Sequence, residues 1–367
     1  MSMDVYVIGL ALHPPAWRIL DKRLEEMVYE TTRAALDDAG VNRGELDNVV
    51  LASSDEFDGR SISSMLLAMP AGAYLKDEIK VADAGAMGLC LSAVRIRSGD
   101  FHLGVVSSWC KSSKTDVESF MRQKCDPFFT RPLGLNSTVT DALFARAIAE
   151  RWGIEPREVN ERVVAAYKRA SHNPRGMKHP VPTQSEVAES PYDSMPLRQA
   201  QRAPMTDGAV SLVMASGDWV DRRRDCRPLA RLAGVGWATD GYQLGRERLS
   251  GMHSARIAWN MAMEQAGLSS AAQADVIELE SQTGFHEAAY VRAFGLDGHP
   301  GLSPSGGPYA QNPYFCSSLI NMAEAVLQVS GRAGPVQHER TRRAVGHGCY
   351  GFAQQANIVA VFESVED

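Results

Sequence analysis

Long apolar runs, paired cysteines and blocks of basic residues are all missing from this chain. No stretch approaches the roughly 20 apolar residues that a membrane-spanning helix needs. The six cysteines among 367 residues occur without a Cys-x-x-Cys pair, which argues against a zinc site or a disulfide framework. The formal net charge of −6 has no compensating basic block, so we expect no nucleic-acid partner. The short basic stretches at 222–225 and 338–343 are typical of solvated loops.

The start of the chain also lacks the features of an export signal. Residues 1–15, MSMDVYVIGLALHPP, have neither the basic beginning nor the cleavage site of a signal peptide. Together with the unpaired cysteines, this predicts a reducing, cytoplasmic setting. No cysteines or histidines have the spacing of a metal site, so we expect no bound metal.

Segments with strand character alternate with segments of helical period. Residues 5–10 are apolar and rich in β-formers, residues 24–40 form a predicted helix that ends at Gly40, and LDNVVLAS is the next predicted strand. The composition, 44% hydrophobic and 22% charged, is that of a globular protein. This alternation predicts an α/β fold with helices packed on sheets.

The chain also repeats itself. AALDDAGVNRGELDNVVLAS (34–53) matches MAMEQAGLSSAAQADVIELES (261–281) as helix end, Ala-Gly stop, polar loop and strand. An internal duplication with a period of about 225 residues explains the match. We therefore predict an N-terminal half over 1–220 and a C-terminal half over 221–367. Residues 110–206 do not follow the repeat and are predicted to be an insertion that covers a site or forms an interface.

Several stretches carry a resemblance to a known family. IRSGDFHLGVVSSW is similar to the run that follows the family's nucleophile helix, MTDGAVSLVMAS to its SDGAAALVLMS, and SPSGGPYAQNP to its N-x-x-GG-x-x-x-GHP. Their order along nearly the whole chain resembles the thiolase superfamily of thiolases, ketoacyl synthases and thiolase-like lipid-transfer proteins. The resemblance implies the thiolase fold, in which duplicated α/β halves pack as an α-β-α-β-α layered structure.

An alanine stands at the position where the resemblance implies a nucleophile. Family members carry a Cys in C-A-S-G at a tight turn from strand to helix, and counted back from IRSG this motif falls on residues 82–85. A methyl group cannot attack a thioester. Ala82 is therefore either an engineered replacement of a cysteine or the sign of an enzyme that needs no covalent intermediate. The family also implies that Gly85 opens a helix whose backbone amides face the substrate.

The same resemblance points to further catalytic residues. Asn312 stands where ketoacyl synthases have an Asn, and an amide there can polarise a thioester carbonyl, although it could equally cap a helix that begins near Tyr314. In the glycine-rich loop expected before the last strand, His347 is the predicted proton carrier. Cys349 corresponds to the second Cys of thiolases, and Tyr350 to the phenols that aldolases without the nucleophilic Cys use.

Substrate contacts are expected from four other residues. Cys110 is predicted to lie at a strand end beside the site. His286 lies one turn beyond residues 280–282, where family members supply an amide or an imidazole. Gly306 and Gly307 are expected to let the backbone approach the pocket.

These residues fit three functions. The first is acyl transfer or condensation on CoA or acyl-carrier-protein thioesters, with CoA or phosphopantetheine as part of the substrate and no other cofactor. The second is retro-aldol cleavage of an acyl-CoA without the nucleophilic Cys. The third is a non-catalytic subunit that binds acyl groups. Family members pair as dimers or work with a second thiolase-like chain or a small OB-fold partner, so we expect a homodimer or a heteromer.

Overall fold

The computed structural model describes residues 4–223 and 225–365. Residues 1–3 of the predicted N-terminal half, Arg224 of the first basic stretch and residues 366–367 lie outside the described residues. The strands are β1 (Val5–Leu12), β2 (Asn48–Ala52), β3 (Asp77–Val81), β4 (Leu103–Lys111), β5 (Tyr192–Ser194), β6 (Leu197–Arg198), β7 (Asp207–Ser216), β8 (Ala230–Thr239), β9 (Val276–Glu278), β10 (Arg343–Tyr350) and β11 (Ala356–Glu363). The α-helices are α1 (Leu24–Ala39), α2 (Ser64–Leu67), α3 (Gly85–Arg97), α4 (Val117–Lys124), α5 (Ser137–Trp152), α6 (Pro156–His172), α7 (Gln184–Glu189), α8 (Gly217–Arg222), α9 (Arg246–Gly251), α10 (His253–Gln265), α11 (Gly284–Phe294) and α12 (Ser317–Val329).

Within the described ranges, nine strands form one mixed sheet in the order β3-β2-β4-β7-β1-β8-β11-β10-β9. At its centre β1 and β8 join through a short antiparallel ladder, in which Tyr6 pairs with Arg231 and Val7 with Ala230. Outward from this junction, β7 and β11 run antiparallel to their neighbours, whereas β2 is parallel to β4 and β9 is parallel to β10. The order and the strand directions on one side therefore correspond to those on the other. The residue boundaries of the two halves stay a prediction.

Three clusters of buried apolar side chains separate the layers. One cluster lies between α1 and the N-terminal strands and includes Met27. A second surrounds α3 and α12 and includes Leu89 and Leu319. The third lies between α10, α11 and the C-terminal strands and includes Trp259. Helices thus lie outside both parts of the sheet and between them, which is the predicted α-β-α-β-α arrangement.

Local signals predict the end of α1 and the start of α3 correctly. The predicted helix over 24–40 is α1, and Gly40 caps it with φ of 64°. Gly85 opens α3 as expected. The alternative that Asn312 caps a helix near Tyr314 is wrong, because α12 begins only at Ser317.

The segment around His347 is a strand rather than the predicted loop. It forms β10, which pairs with β9 and β11. The glycines that suggested a loop pack against α12 instead: a Cβ at Gly346 would lie 2.5 Å from Met322 Sδ, and one at Gly348 would lie 2.6 Å from Ser318 Cβ. Here glycine allows a close approach between helix and sheet and does not mark a turn.

Three further features concern membrane spans, metal ligands and cysteine pairing. Among the described residues, no helix is both long and apolar enough to cross a membrane. In the same part of the chain, no three His, Cys, Asp or Glu side chains are grouped as metal ligands. The six cysteines are all unpaired.

Candidate functional site

A cavity of about 300 Å³ opens where β3 turns into α3. Residues 82–84 of that turn form part of its wall. Glu280 and Gln282, which follow β9, contribute polar side chains. Residues 349–355, which are the end of β10 and the turn before β11, form another part of the wall. Segments that are far apart in the sequence therefore meet at one cavity.

The predicted insertion over 110–206 supplies another part of this wall. Phe120, Met121 and Lys124 reach it from α4, and Asp141 reaches it from α5. The wall thus combines the exposed cationic side chain of Lys124 with an acidic side chain, Asp141, and with apolar side chains.

Glu280 places a carboxyl group in the wall although its side chain is only 3% exposed. Its Oε1 accepts hydrogen bonds from the Ser317 hydroxyl and from Gln282 Nε2, the latter at 3.3 Å. Its Oε2 accepts the backbone N–H of Cys349 at 2.7 Å. Burial raises the pKa of Glu280 to about 7. The carboxyl group can therefore take up or release a proton near neutral pH.

Asn312 does not line the cavity but holds a residue that does. Its Nδ2 donates to Gln282 Oε1 at 2.7 Å, and Gln282 Nε2 donates back to Asn312 Oδ1 at 3.0 Å. Asn312 Nδ2 also donates to the Ala203 carbonyl at 3.4 Å. Because both of its amide hydrogens have protein acceptors, Asn312 orients Gln282 and has no amide hydrogen left for a substrate.

Cys349 and Tyr350 both line the cavity at the end of β10. The Cys349 thiol donates to the Glu280 carbonyl at 3.7 Å, and burial raises its pKa well above its ordinary value. Burial and the nearby Asp83 raise the pKa of the Tyr350 phenol. Both groups therefore stay protonated at neutral pH, where they can donate hydrogen bonds but do not act as anionic nucleophiles.

His347 is fully buried behind the cavity wall and is not part of it. Its Nδ1 accepts the backbone N–H of Glu280 at 3.4 Å, so the ring hydrogen lies on Nε2, 3.0 Å from Asn357 Oδ1. The ring packs edge-on against Tyr290 with the centroids 4.3 Å apart. Burial lowers the pKa of His347 to about 4, so the imidazole is neutral at pH 7. It supports the backbone of Glu280 from behind.

His286 is also fully buried, on α11. Its Nε2 lies 3.7 Å from Asp141 Oδ1 and accepts from Gln354 Nε2 at 3.1 Å. Asp141 and Gln354 line the cavity, whereas His286 lies behind them. Burial lowers the pKa of His286 to about 3 and raises that of Asp141 to about 6. The neutral imidazole of His286 therefore lies directly behind Asp141, an acidic residue of the wall.

Ala82 lines the cavity, in the turn before α3. The Gly85 N–H donates to the Phe315 carbonyl, and the Ala86 N–H donates to the Ser318 hydroxyl, each at 2.9 Å. The expectation that the first amides of α3 face the substrate is therefore wrong for these two residues, because other parts of the protein accept their hydrogens.

The remaining predicted contacts lie outside the cavity wall. Cys110 is buried in β4, with its thiol 3.4 Å from the Ser112 hydroxyl. Gly306 and Gly307 have φ of 84° and 54°, and a Cβ at Gly306 would lie 2.5 Å from Ala170 Cα on α6. These glycines thus allow a close approach to α6. Their contribution to substrate binding, like that of Cys110, stays a prediction.

Glu280 is the main residue of this site that sequence reasoning missed. The family resemblance pointed to residues 280–282 but implied an amide or an imidazole there. A carboxylate at the end of the apolar strand VIELE was the available signal, because an acid in such a place is costly unless it is hydrogen-bonded or functional.

Comparison with known proteins identifies the architecture. No protein-family model matches the chain. An acetyl-CoA acetyltransferase of Methanothermobacter thermautotrophicus is 24% identical over 384 residues, covering 97% of this chain and 98% of that protein. Human mitochondrial 3-ketoacyl-CoA thiolase superposes with a TM-score of 0.79 at 16% identity, over 99% of both chains. The chain has the thiolase fold.

Two further solved structures extend this likeness. The Ltp2-ChsH2(DUF35) aldolase gives a TM-score of 0.80 at 17% identity, over 98% of both chains. An acetyl-CoA acetyltransferase from Syntrophomonas wolfei gives 0.77 at 15% identity, over 100% of both chains. The predicted fold class and the resemblance to the thiolase superfamily are confirmed.

Proposed function

We propose that this chain is an acyl-CoA enzyme that breaks or forms a carbon–carbon bond beside the thioester without a covalent acyl-enzyme intermediate. Retro-aldol cleavage of a β-hydroxyacyl thioester is the reaction that the site supports best. One observation carries the proposal: the described wall combines the Ala82 methyl group and the protonated Cys349 thiol with a buried Glu280 that can exchange a proton near neutral pH.

The proposed step uses Glu280 as the base. Its Oε2 takes the proton of the substrate's β-hydroxyl group, the oxygen becomes a carbonyl, and the bond between the α and β carbons breaks. The electron pair moves to the α carbon and forms the thioester enolate, whose oxygen accepts a hydrogen bond from the protonated Tyr350 phenol. The proton held on Glu280 then moves to the α carbon. The products are an aldehyde or ketone and a shortened acyl thioester, so no oxidant or reductant is needed.

Direct acyl transfer is the second candidate. The likeness to an acetyl-CoA acetyltransferase along nearly the whole chain favours it. In this reaction Glu280 would take a proton from the acceptor carbon, which then attacks the thioester carbonyl and expels the CoA thiolate. We propose that Ala82 occupies the nucleophile position in either reaction, whether it is natural or replaces a cysteine.

Product analysis tests the two candidates. The isolated protein is incubated with β-hydroxyacyl-CoA esters, and small-molecule and intact-protein masses are recorded. We expect a free carbonyl compound, a shortened acyl-CoA and no protein adduct. CoA released only when an acceptor is present would favour acyl transfer. Binding without any turnover would contradict both and favour a non-catalytic, acyl-binding subunit.

We also propose that the chain works in the cytoplasm as a homodimer or together with a thiolase-like or OB-fold subunit, on CoA or carrier-protein thioesters. The name of the Ltp2-ChsH2(DUF35) aldolase pairs two components, which supports a heteromer. Phe128 and Leu133, which are 82% and 83% exposed on the predicted insertion, are apolar enough for a subunit contact. Light scattering on the purified chain tests this proposal, and a monomer that is fully active alone would contradict it.

A further inference from the structure

The apolar side of the cavity is built from interlocking aromatic rings. Phe120, Tyr314 and Phe315 line the cavity, and Phe57 packs behind them. The Phe57 ring lies 4.7 Å from that of Phe120, edge to face, and 5.2 Å from that of Tyr314, stacked. Phe57 itself is 5% exposed. The rings are therefore fixed before any ligand binds.

Two side chains from other segments extend this surface. Met121 and Phe352 are buried to a similar degree and also line the cavity. The Tyr314 hydroxyl donates to Met121 Sδ at 3.2 Å, so the polar atom of this ring already has a partner. We call Phe120, Met121, Tyr314, Phe315 and Phe352 the aromatic wall.

The chemistry of the aromatic wall restricts what can occupy it. The amide groups of a pantetheine arm need hydrogen-bond partners when they leave water. Among the five side chains of this wall, the only hydroxyl is that of Tyr314, and it already donates to Met121 Sδ. The polar groups of the proposed reaction, Glu280, Gln282 and Cys349, lie on other segments of the cavity wall. Lys124 on α4 also lines the cavity, with its Nζ 5.1 Å from the centroid of the Phe120 ring. An apolar part of the substrate is therefore the natural occupant, with the reacting carbonyl directed toward the polar groups.

The size of the cavity argues against the smallest acyl groups. A cavity of about 300 Å³ is of the size that holds drug-sized ligands, which are much larger than an acetyl group. An acetyl group would leave most of the aromatic surface in contact with water, and this surface would contribute nothing to binding. A six-membered ring covers far more of it and can stack on rings that are already in place.

We propose that the aromatic wall binds a ring-bearing apolar group, so that the substrate is the CoA thioester of a bulky aromatic or alicyclic acid. This rests on the proposed function for the position of the thioester, but binding can be measured apart from turnover. The inference extends the proposed function by naming its substrate class.

Calorimetric titration tests this proposal. Acetyl-CoA, hexanoyl-CoA and 3-phenylpropionyl-CoA are titrated into the intact protein. We expect 3-phenylpropionyl-CoA to bind at least about tenfold more tightly than acetyl-CoA, which is the scale expected for burying one ring. Equal affinities for the three thioesters, or a preference for acetyl-CoA, would overturn the proposal.

Two variants on separate segments locate the effect. Phe120→Leu and Phe352→Leu remove one ring each while keeping an apolar side chain, and each is expected to reduce the preference several-fold. Phe129→Leu is the matched control, because Phe129 is exposed on the neighbouring loop and does not line the cavity. Melting curves show which variants are folded, and two folded leucine variants with an unchanged preference would contradict the assignment to the aromatic wall.

Turnover separates this proposal from the proposed function. Tight binding of the phenyl thioester without any reaction of its β-hydroxy form would support the aromatic wall and contradict only the retro-aldol step. Cleavage restricted to short-chain β-hydroxyacyl-CoA would support the step and overturn the aromatic wall.

Discussion

Glu280 and Glu278 lie two residues apart, and their comparison shows what makes a carboxyl group available for chemistry. Both are buried, and burial raises the pKa of each to about 7. Glu278, however, accepts hydrogen bonds from the backbone and the hydroxyl of Ser305 at 3.1 and 2.6 Å and does not line the cavity. Burial alone therefore does not make a carboxyl group accessible to a ligand in the cavity, whereas a place in the cavity wall does.

We expect Glu280→Gln to lower kcat for carbon–carbon cleavage by about 10²–10⁴, the usual contribution of a general base. In the wild type, kcat/KM should rise as the pH passes through about 7, because the carboxylate is the active form and burial raises its pKa to that value. Rates in buffers from mildly acidic to mildly alkaline check both points. Glu278→Gln is the control, and an unchanged pH profile in Glu280→Gln would contradict the assignment.

Introducing a thiol at position 82 tests the proposal that this residue occupies the nucleophile position. Ala82→Cys should gain the mass of one acyl group after incubation with an acyl-CoA, because a thiol at the cavity wall can attack a thioester. The wild type should show no such gain, since burial keeps the Cys349 thiol protonated. Intact-protein mass spectrometry makes the measurement. The adduct should persist in Ala82→Cys/Cys349→Ser, and its loss there would assign the acylated thiol to Cys349.

Among the elements, those with local end signals could be predicted and β10 could not. Gly40 marks the end of α1, and Gly85 marks the start of α3. Both signals act through the backbone of a single turn. Gly346 and Gly348 look the same in sequence, but their role depends on contact with α12, which packs against them although it lies far from them in the sequence. Local patterning cannot reveal such a contact, and it therefore predicts a loop where the structure has a strand.

Gly348→Ala should destabilise the fold by about 1–3 kcal/mol, the usual cost of overpacking. The new Cβ would lie 2.6 Å from Ser318 Cβ and 2.9 Å from Ala86 Cβ, so α12 and α3 would both have to move. Gly44→Ala is the control, because nothing lies within 4 Å of a Cβ there and its φ is not positive. Chemical denaturation compares the two variants, and equal midpoints would show that β10 and α12 are packed less tightly than described.

His347 in β10 should make the protein sensitive to acid. Burial lowers its pKa from 6.5 to about 4, so the unfolded chain binds this proton more readily than the folded one. The stabilising contribution is thus complete above pH 6.5 and is lost as the pH falls toward 4. His347→Asn should show a shallower loss of stability in this window. It should also be less stable at neutral pH, because the shorter amide loses the ring contact with Tyr290 and the hydrogen bond to Asn357.

Urea titrations across that window measure the effect on the free energy of unfolding. Some acid sensitivity should remain in His347→Asn, because burial lowers the pKa of His286 as well. An identical dependence on pH in the variant and the wild type would contradict the assignment to His347.

On the scale of the whole molecule, a buried ion pair ties the predicted insertion to the central layer. Arg175, just beyond α6, donates to both carboxylate oxygens of Glu324 on α12, at 2.9 and 2.5 Å. Asn173 donates to the same carboxylate at 3.0 Å. Glu324 is 1% exposed, so without these donors its charge would be left without compensation in the centre of the protein.

Arg175→Met should therefore cost about 3–5 kcal/mol of stability, as is usual when one partner of a buried pair is removed. Arg175→Met/Glu324→Gln should recover much of this loss, because the neutral amide no longer needs the guanidinium. Thermal unfolding of the single and the double variant measures both effects. If Arg175→Met were as stable as the wild type, the ion pair between Arg175 and Glu324 would not stabilise the packing of the insertion against α12.

The position of the site could be predicted from the sequence more readily than the side chains that face it. The resemblance placed residues 82, 280–282 and 349 together, and the structure brings them to one cavity. His347 and Cys349 share one face of β10 through the two-residue period of a strand, but the cavity opens at the strand end, so only Cys349 reaches it. That distinction depends on where other elements stop, which local patterning does not reveal.

The methyl group of Ala82 has a consequence for the order of events in each turnover. An enzyme that stores an acyl group on a thiol can release its first product before the second substrate arrives. With alanine at this turn and the Cys349 thiol kept protonated by burial, the proposed reaction has no such store, so both fragments of the substrate must occupy the cavity together. In the condensing direction the reaction then proceeds through a ternary complex, and double-reciprocal plots intersect instead of running parallel.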